Sequence, residues 1–157
     1  MFDIRDDLVV QLDGIDQTSL MEFWRWLAPE PLRPWFATAL GDLFLRDPSG
    51  EVLWLDVGSG EVQPVARHED HFRELLRDPE NAGLWFGKTL VDSLRTSGVL
   101  LRTGEVYSYQ TLPILGGEYT AANFRVYDVV THFRVWGPIH EKLKDVPDGA
   151  SIKLVVG

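Results

Sequence analysis

Apolar residues recur at two spacings along this chain, and the switch between them separates helical from extended stretches. Leu20, Phe23, Trp24 and Leu27 fall at i, i+3, i+4 and i+7, one face of a helix over about 19–27. Ser19-Leu20-Met21-Glu22 has the form of a capping box at its start. Pro29, Pro31 and Pro34 then stop the helix and stiffen a connector. The period changes next. Leu43-Phe44-Leu45, Val52 to Asp56 and Val62 to Ala66 are short β-rich runs. The turn signals Asp47-Pro48-Ser49-Gly50 and Gly58-Ser59-Gly60 join them into an antiparallel meander. Pro64 lacks a ladder donor, which places the third run at a sheet edge.

Helical spacing resumes at about 69–77, where Phe72, Leu75 and Leu76 share a face and Asp78-Pro79 ends the helix. Ala82, Phe86, Leu90 and Leu94 predict one longer helix over about 82–96, stopped near Gly98. Residues 105–110 and 124–127 read as strands, with a turn at Gly116-Gly117 between them. Asp128 can cap a last helix over about 129–144, whose face carries Val129, Phe133, Trp136, His140 and Leu143. Gly137-Pro138 should kink or break it. A turn at Asp148-Gly149 and a strand at Ile152 to Val156 close the pattern. Repeated fragments such as Ser-Gly-Glu-Val, at 49–52 and 59–62, follow no fixed period and read as reused turn grammar. The expected fold class is α+β: an antiparallel sheet with about four helices, mainly on one face, in a single domain over 1–157.

Composition narrows the function classes. The 157 residues include 24 Asp+Glu against 15 Lys+Arg, a net charge of −9, with 45% hydrophobic residues, six Trp and no Cys. Disulfide frameworks, zinc knuckles and cysteine nucleophiles are excluded. The acidic balance argues against direct nucleic-acid binding, which needs a basic surface. The N-terminal Met1 to Asp7 does not have the form of a secretory signal, and no apolar run approaches membrane-spanning length. A cytoplasmic protein is the default expectation.

Residue chemistry supplies no catalytic signature. His68-Glu69-Asp70-His71 places two histidines at i and i+3, but the zincin spacing of four and a third ligand are missing. The simpler reading is a helix N-terminus whose acids favour the dipole. His140, on the apolar stripe, is either a buried base or a satisfied core-edge histidine; His132 falls off that stripe and reads as solvated. Gly58-Ser59-Gly60 lacks the nucleophile elbow, the dinucleotide fingerprint and a P-loop lysine. No cofactor or metal is expected. Trp26 falls off the first helix's apolar face, and Trp35 sits in the Pro-rich connector. Each is either a partner anchor or a ring packed over the core rim.

Two sets of phrases carry a family resemblance. Leu40-Gly41-Asp42-Leu43-Phe44, then Trp54-Leu55-Asp56 through Gly60, and then Phe72-Arg73-Glu74-Leu75-Leu76, resemble the GAD-like module. Leu115-Gly116-Gly117 through Asn123, followed by Val129-Val130-Thr131-His132, resemble its companion module, found in immunity proteins that neutralise a type VI secretion DNase effector. The resemblance spans about 36–148. It implies a non-enzymatic protein that binds and blocks a cognate toxin, a basic effector such as a nuclease, and it brings no catalytic residues. An acidic surface suits such a partner. Asp56, Glu118 and Tyr119, within the phrases, join Trp26 and Trp35 as candidate partner-binding residues. Two other readings stay open: a ligand-binding or hydrolytic domain with a pocket near His140, and a generic protein-interaction domain.

Overall fold

A computed structural model describes residues 5–146 of the chain. Its strands are β1 (Val9–Val10), β2 (Arg33–Thr38), β3 (Leu43–Arg46), β4 (Val52–Asp56), β5 (Glu61–Ala66), β6 (Glu105–Tyr109) and β7 (Phe124–Asp128). Its helices are α1 (Gln17–Met21), α2 (Glu69–Leu75), α3 (Pro79–Phe86), α4 (Lys88–Thr96) and α5 (Val129–Leu143). Strands β1 to β5 form one antiparallel sheet in sequence order, and β6 pairs with β7 as a separate antiparallel ribbon. The expected α+β class and meander are present, and β5, with Pro64, is an edge strand. The turn at Asp148-Gly149 and the strand at Ile152 to Val156 lie outside the described residues. None of the described helices is long and apolar enough to cross a membrane.

Four elements differ from the sequence reading. The first helix starts earlier and is shorter: Asp16, not Ser19, caps α1 by accepting from the Thr18 N–H at 3.0 Å, and residues 22–27 continue as turns. A carboxyl cap three residues upstream outcompetes the Ser19 hydroxyl, which donates to Asp16 instead. The Pro-rich connector ends in a strand. β1 pairs only with Ala37 and Thr38, so Pro34 meets no neighbour on that side that would need its missing N–H. The register of β2 on β3 shifts between Pro34 and Phe36, which leaves Trp35 at a bulge. The predicted helix 82–96 is two helices: Gly87 adopts φ +58°, a left-handed conformation that ends α3 and starts α4. Finally, α5 runs unbroken through Gly137-Pro138. There the absence of a side chain matters, since a Cβ on Gly137 would lie 2.5 Å from the Phe23 carbonyl oxygen.

The core is aromatic where sheet meets helices. Phe36 and Phe44 stack at 5.0 Å, Phe36 stacks on Phe86 at 6.1 Å, and Phe72 stacks on Trp85 at 5.2 Å. These pairs fasten β2 and β3 to α2 and α3, each contributing about 0.5–1.5 kcal/mol beyond its area burial. Helix α5 is buried over a wide arc, because the α1 segment, the β6–β7 ribbon and the sheet all pack against it.

His132 departs most from expectation. It is fully buried, not solvated. Its Nε2–H donates to the Gly41 carbonyl at 2.8 Å, and its Nδ1 accepts from Ser108 Oγ at 2.7 Å. Ser108 Oγ in turn accepts from Trp136 Nε1 at 2.9 Å. A carbonyl can only accept, so this chain of bonds fixes one neutral tautomer. Burial pushes the His132 pKa down to about 4. The helical series 132, 136, 140 places His132 one step around from the apolar stripe, close enough to share its burial.

Two outcomes are expected. Gly41 has φ +84°, and a Cβ there would sit 2.3 Å from His132 Nε2; Gly41→Ala should therefore cost at least about 3 kcal/mol in urea denaturation. In the unfolded chain His132 takes up a proton below its ordinary pKa of 6.5, whereas the folded protein resists this down to about 4. Its stabilisation is complete above pH 6.5 and is lost as pH falls towards 4. The stability gap between the wild type and His132→Asn should narrow across that window, by up to about 3 kcal/mol.

Candidate functional site

The phrases of the sequence meet in one place. The turn after β2 brings Asp42 under the end of β4. Asp42, only 8% exposed, accepts from Trp54 Nε1 at 3.2 Å and from the Val57 N–H at 3.0 Å. Burial, reinforced by the nearby Asp56 charge, raises its pKa well above the ordinary carboxylate value. Asp56 turns the chain by accepting from the Gly58 N–H at 3.1 Å. The Val57 carbonyl accepts from His140 Nε2–H at 2.6 Å. His140 is thus a satisfied core histidine. Its other ring nitrogen faces Gly60, where a Cβ would lie 2.3 Å away.

Above this turn stand two tyrosines. The Tyr109 and Tyr119 hydroxyls both close over Gly58, at 2.9 and 2.7 Å from where its Cβ would be. A hydrogen bond links them, and the rings meet edge to face at 6.2 Å. Burial, then the charge of Asp56, pushes the Tyr119 pKa up to about 12; burial also raises Tyr109 well above its ordinary value. Both phenols stay protonated at neutral pH, so neither serves as a base there.

A cavity of about 420 Å³ opens beside this group, within the roughly 300–1,000 Å³ of small-ligand sites. Its floor is Asp42, Asp56 and Trp54, and Tyr109 and Tyr119 form one side. The α3–α4 junction closes the other, through Leu84, Trp85, Lys88 and Leu90. Lys88 is drawn off to Asp92 at 2.8 Å. Leu84 (65% exposed) and Tyr119 (56% exposed) stand at the edge.

Of the five candidate residues, this cavity gathers Asp56 and Tyr119. Glu118 is exposed on the adjoining loop, and its carbonyl accepts from Asn123 Nδ2 at 3.0 Å. Asn123 also exchanges two bonds with the Thr111 backbone, at 2.8 and 2.9 Å, so the Gly-Gly to Asn phrase is a loop clasp. Trp35 lies apart from the cavity, half-buried on Phe72 with Arg46 over its ring at 4.5 Å. Trp26 stacks on Trp24 at 6.2 Å, with Lys144 over its ring at 5.2 Å. Both therefore pack over the core rim. Sequence reasoning missed Asp42, Trp54, Trp85 and Tyr109 as site residues. Asp42 and Trp54 were quoted in the family phrases, and that position was their one signal. His68 caps α2 by accepting from the His71 N–H at 3.1 Å. Among the described residues no three His, Asp or Glu side chains gather as a metal site.

Asp42→Ala should leave the Trp54 and Val57 N–H groups unpaired. The expected cost is about 2–5 kcal/mol in chemical denaturation, with an altered Trp fluorescence in the folded state.

Comparison with known proteins bears on the second set of phrases. Residues 66–140 match the family model described as T6SS immunity protein Tdi1, C-terminal. Residues 36–65, with the first two GAD-like phrases, fall outside that match, while the third, Phe72 to Leu76, falls inside it. No curated protein matches the chain. A solved structure, described as the crystal structure of Atu4351 from Agrobacterium tumefaciens, is similar at a TM-score of 0.48 and 16% identity, over 77% of this chain. This chain spans 60% of that one. From α2 to within α5, the chain matches the type VI secretion immunity family that its later phrases resemble.

Proposed function

We propose that this protein is a non-enzymatic immunity protein that binds and neutralises a cognate secreted toxin in the cytoplasm. The match of residues 66–140 to a type VI secretion immunity family carries the reading. A basic toxin, such as a nuclease, suits a chain of net charge −9, since opposite charge speeds encounter and fixes orientation. The buried groups of the candidate site are consistent with binding. Asp42 and His140 are each satisfied by the fold, and the tyrosines are protonated. The hydrolytic alternative rested on a pocket at His140, and that ring is committed to Val57 and does not line the cavity.

Co-expression with the product of the neighbouring reading frame tests this. The expected result is rescue of growth from that product's toxicity, with the two proteins co-eluting as a complex whose association slows as salt rises. A neighbour that is not toxic, or a toxin neither bound nor relieved, overturns the proposal.

A further inference from the structure

We propose that the cavity between the Asp42–Asp56 turn and the α3–α4 junction receives an arginine side chain of the toxin. This rests on the immunity reading and adds the contact chemistry. Three observations point to a slender organic cation. The floor carries two carboxyl groups, Asp42 and Asp56, close enough that the Asp56 charge raises the Asp42 pKa. The one lysine on the wall, Lys88, is already paired with Asp92, so it does not fill the cavity with a charge of its own. The walls are aromatic and aliphatic, which suits the stem of an arginine and the flat faces of its guanidinium.

Asp42 uses one oxygen for Trp54 and the other for Val57, and each keeps a lone pair. Asp56 bonds Gly58 through Oδ1, which leaves Oδ2 for the incoming fork. The edge fits a protein partner. Among the described residues four large apolar side chains are well exposed, and two of them, Leu84 and Tyr119, border this cavity. Arginine is among the residues enriched at interface hot spots, where surrounding contacts exclude water.

The test has two arms. In the first, agmatine, a guanidinium on a four-carbon stem, is titrated calorimetrically against the wild type, Asp56→Asn and Leu84→Lys. Asn can keep the bond to Gly58, and position 84 is exposed, so both variants should fold; circular dichroism and urea denaturation check this. Wild type should bind agmatine, and each variant should bind it about tenfold more weakly. N-carbamoylputrescine, in which a neutral urea replaces the guanidinium and the terminal amine is kept, should likewise bind the wild type about tenfold more weakly than agmatine does. In the second arm the same variants are titrated with the toxin, where a loss of tenfold or more in affinity is expected. Absence of agmatine binding, or equal binding by all three proteins, overturns the cavity as a cation site. Agmatine binding sensitive to Asp56, with toxin affinity unchanged, overturns the toxin contact and makes the cavity a small-cation site. Toxin bound equally by wild type and variants overturns this inference but leaves the immunity function standing. A toxin that does not bind the wild type overturns that function instead.

Discussion

Two histidines of α5 hold the turns on which the rest of the arrangement depends. His132 donates to the Gly41 carbonyl and His140 to the Val57 carbonyl. Between those two points Asp42 bonds Val57 and Trp54. One helix thus fixes two sheet turns, and a buried carboxyl ties the turns to each other. Each bond replaces one that water would have made, so the net gain per bond is modest. The cost of leaving any one partner unpaired is larger, and that asymmetry makes the arrangement specific. Ser108, which serves both His132 and Trp136, adds the β6–β7 ribbon to the same network.

The cavity follows from this network. Asp42 and Trp54 cannot move without breaking it, so the floor is rigid. Tyr109 is carried by β6 and Tyr119 by the clasped loop that follows, and both hydroxyls close over Gly58 because no side chain stands there. The opposite wall exists because Gly87 turns the chain between α3 and α4. A continuous helix would have carried Leu90 and Lys88 along the axis of α3, away from the floor. The structural break that periodicity did not reveal is therefore the one that shapes the site.

The sequence was legible where local chemistry decides. The meander of β3, β4 and β5, the ribbon strands and the start of α5 at Asp128 all follow from alternation, turn residues and capping. It was illegible where tertiary contact decides. Val9-Val10 is too short to register as a strand and exists by pairing with Ala37 and Thr38. Arg33 to Thr38 reads as a connector because of Pro34, yet the brevity of β1 removes the demand that would exclude it. His132 reads as solvated because it falls off a narrow stripe, whereas contacts on several sides bury a wide arc of α5. Of the site, Asp56 and Tyr119 were picked out through the family phrases, while Trp85 and Tyr109 carry no local mark of what they face.

A rigid site of this kind suits inhibition better than turnover. Its phenols are held protonated, the histidines outside it give their Nε2–H to backbone carbonyls, and its aromatic walls are locked by neighbours. Little side-chain freedom is left to lose on binding, which lowers the entropic cost of a tight complex. Under the proposed immunity role, the negative charge of the chain would act at longer range and raise encounter rates with a basic toxin. Long-range attraction and a stiff, partly desolvated contact then divide the work between association and dissociation. The proposed role, capture of a toxin before it acts and retention afterwards, requires both.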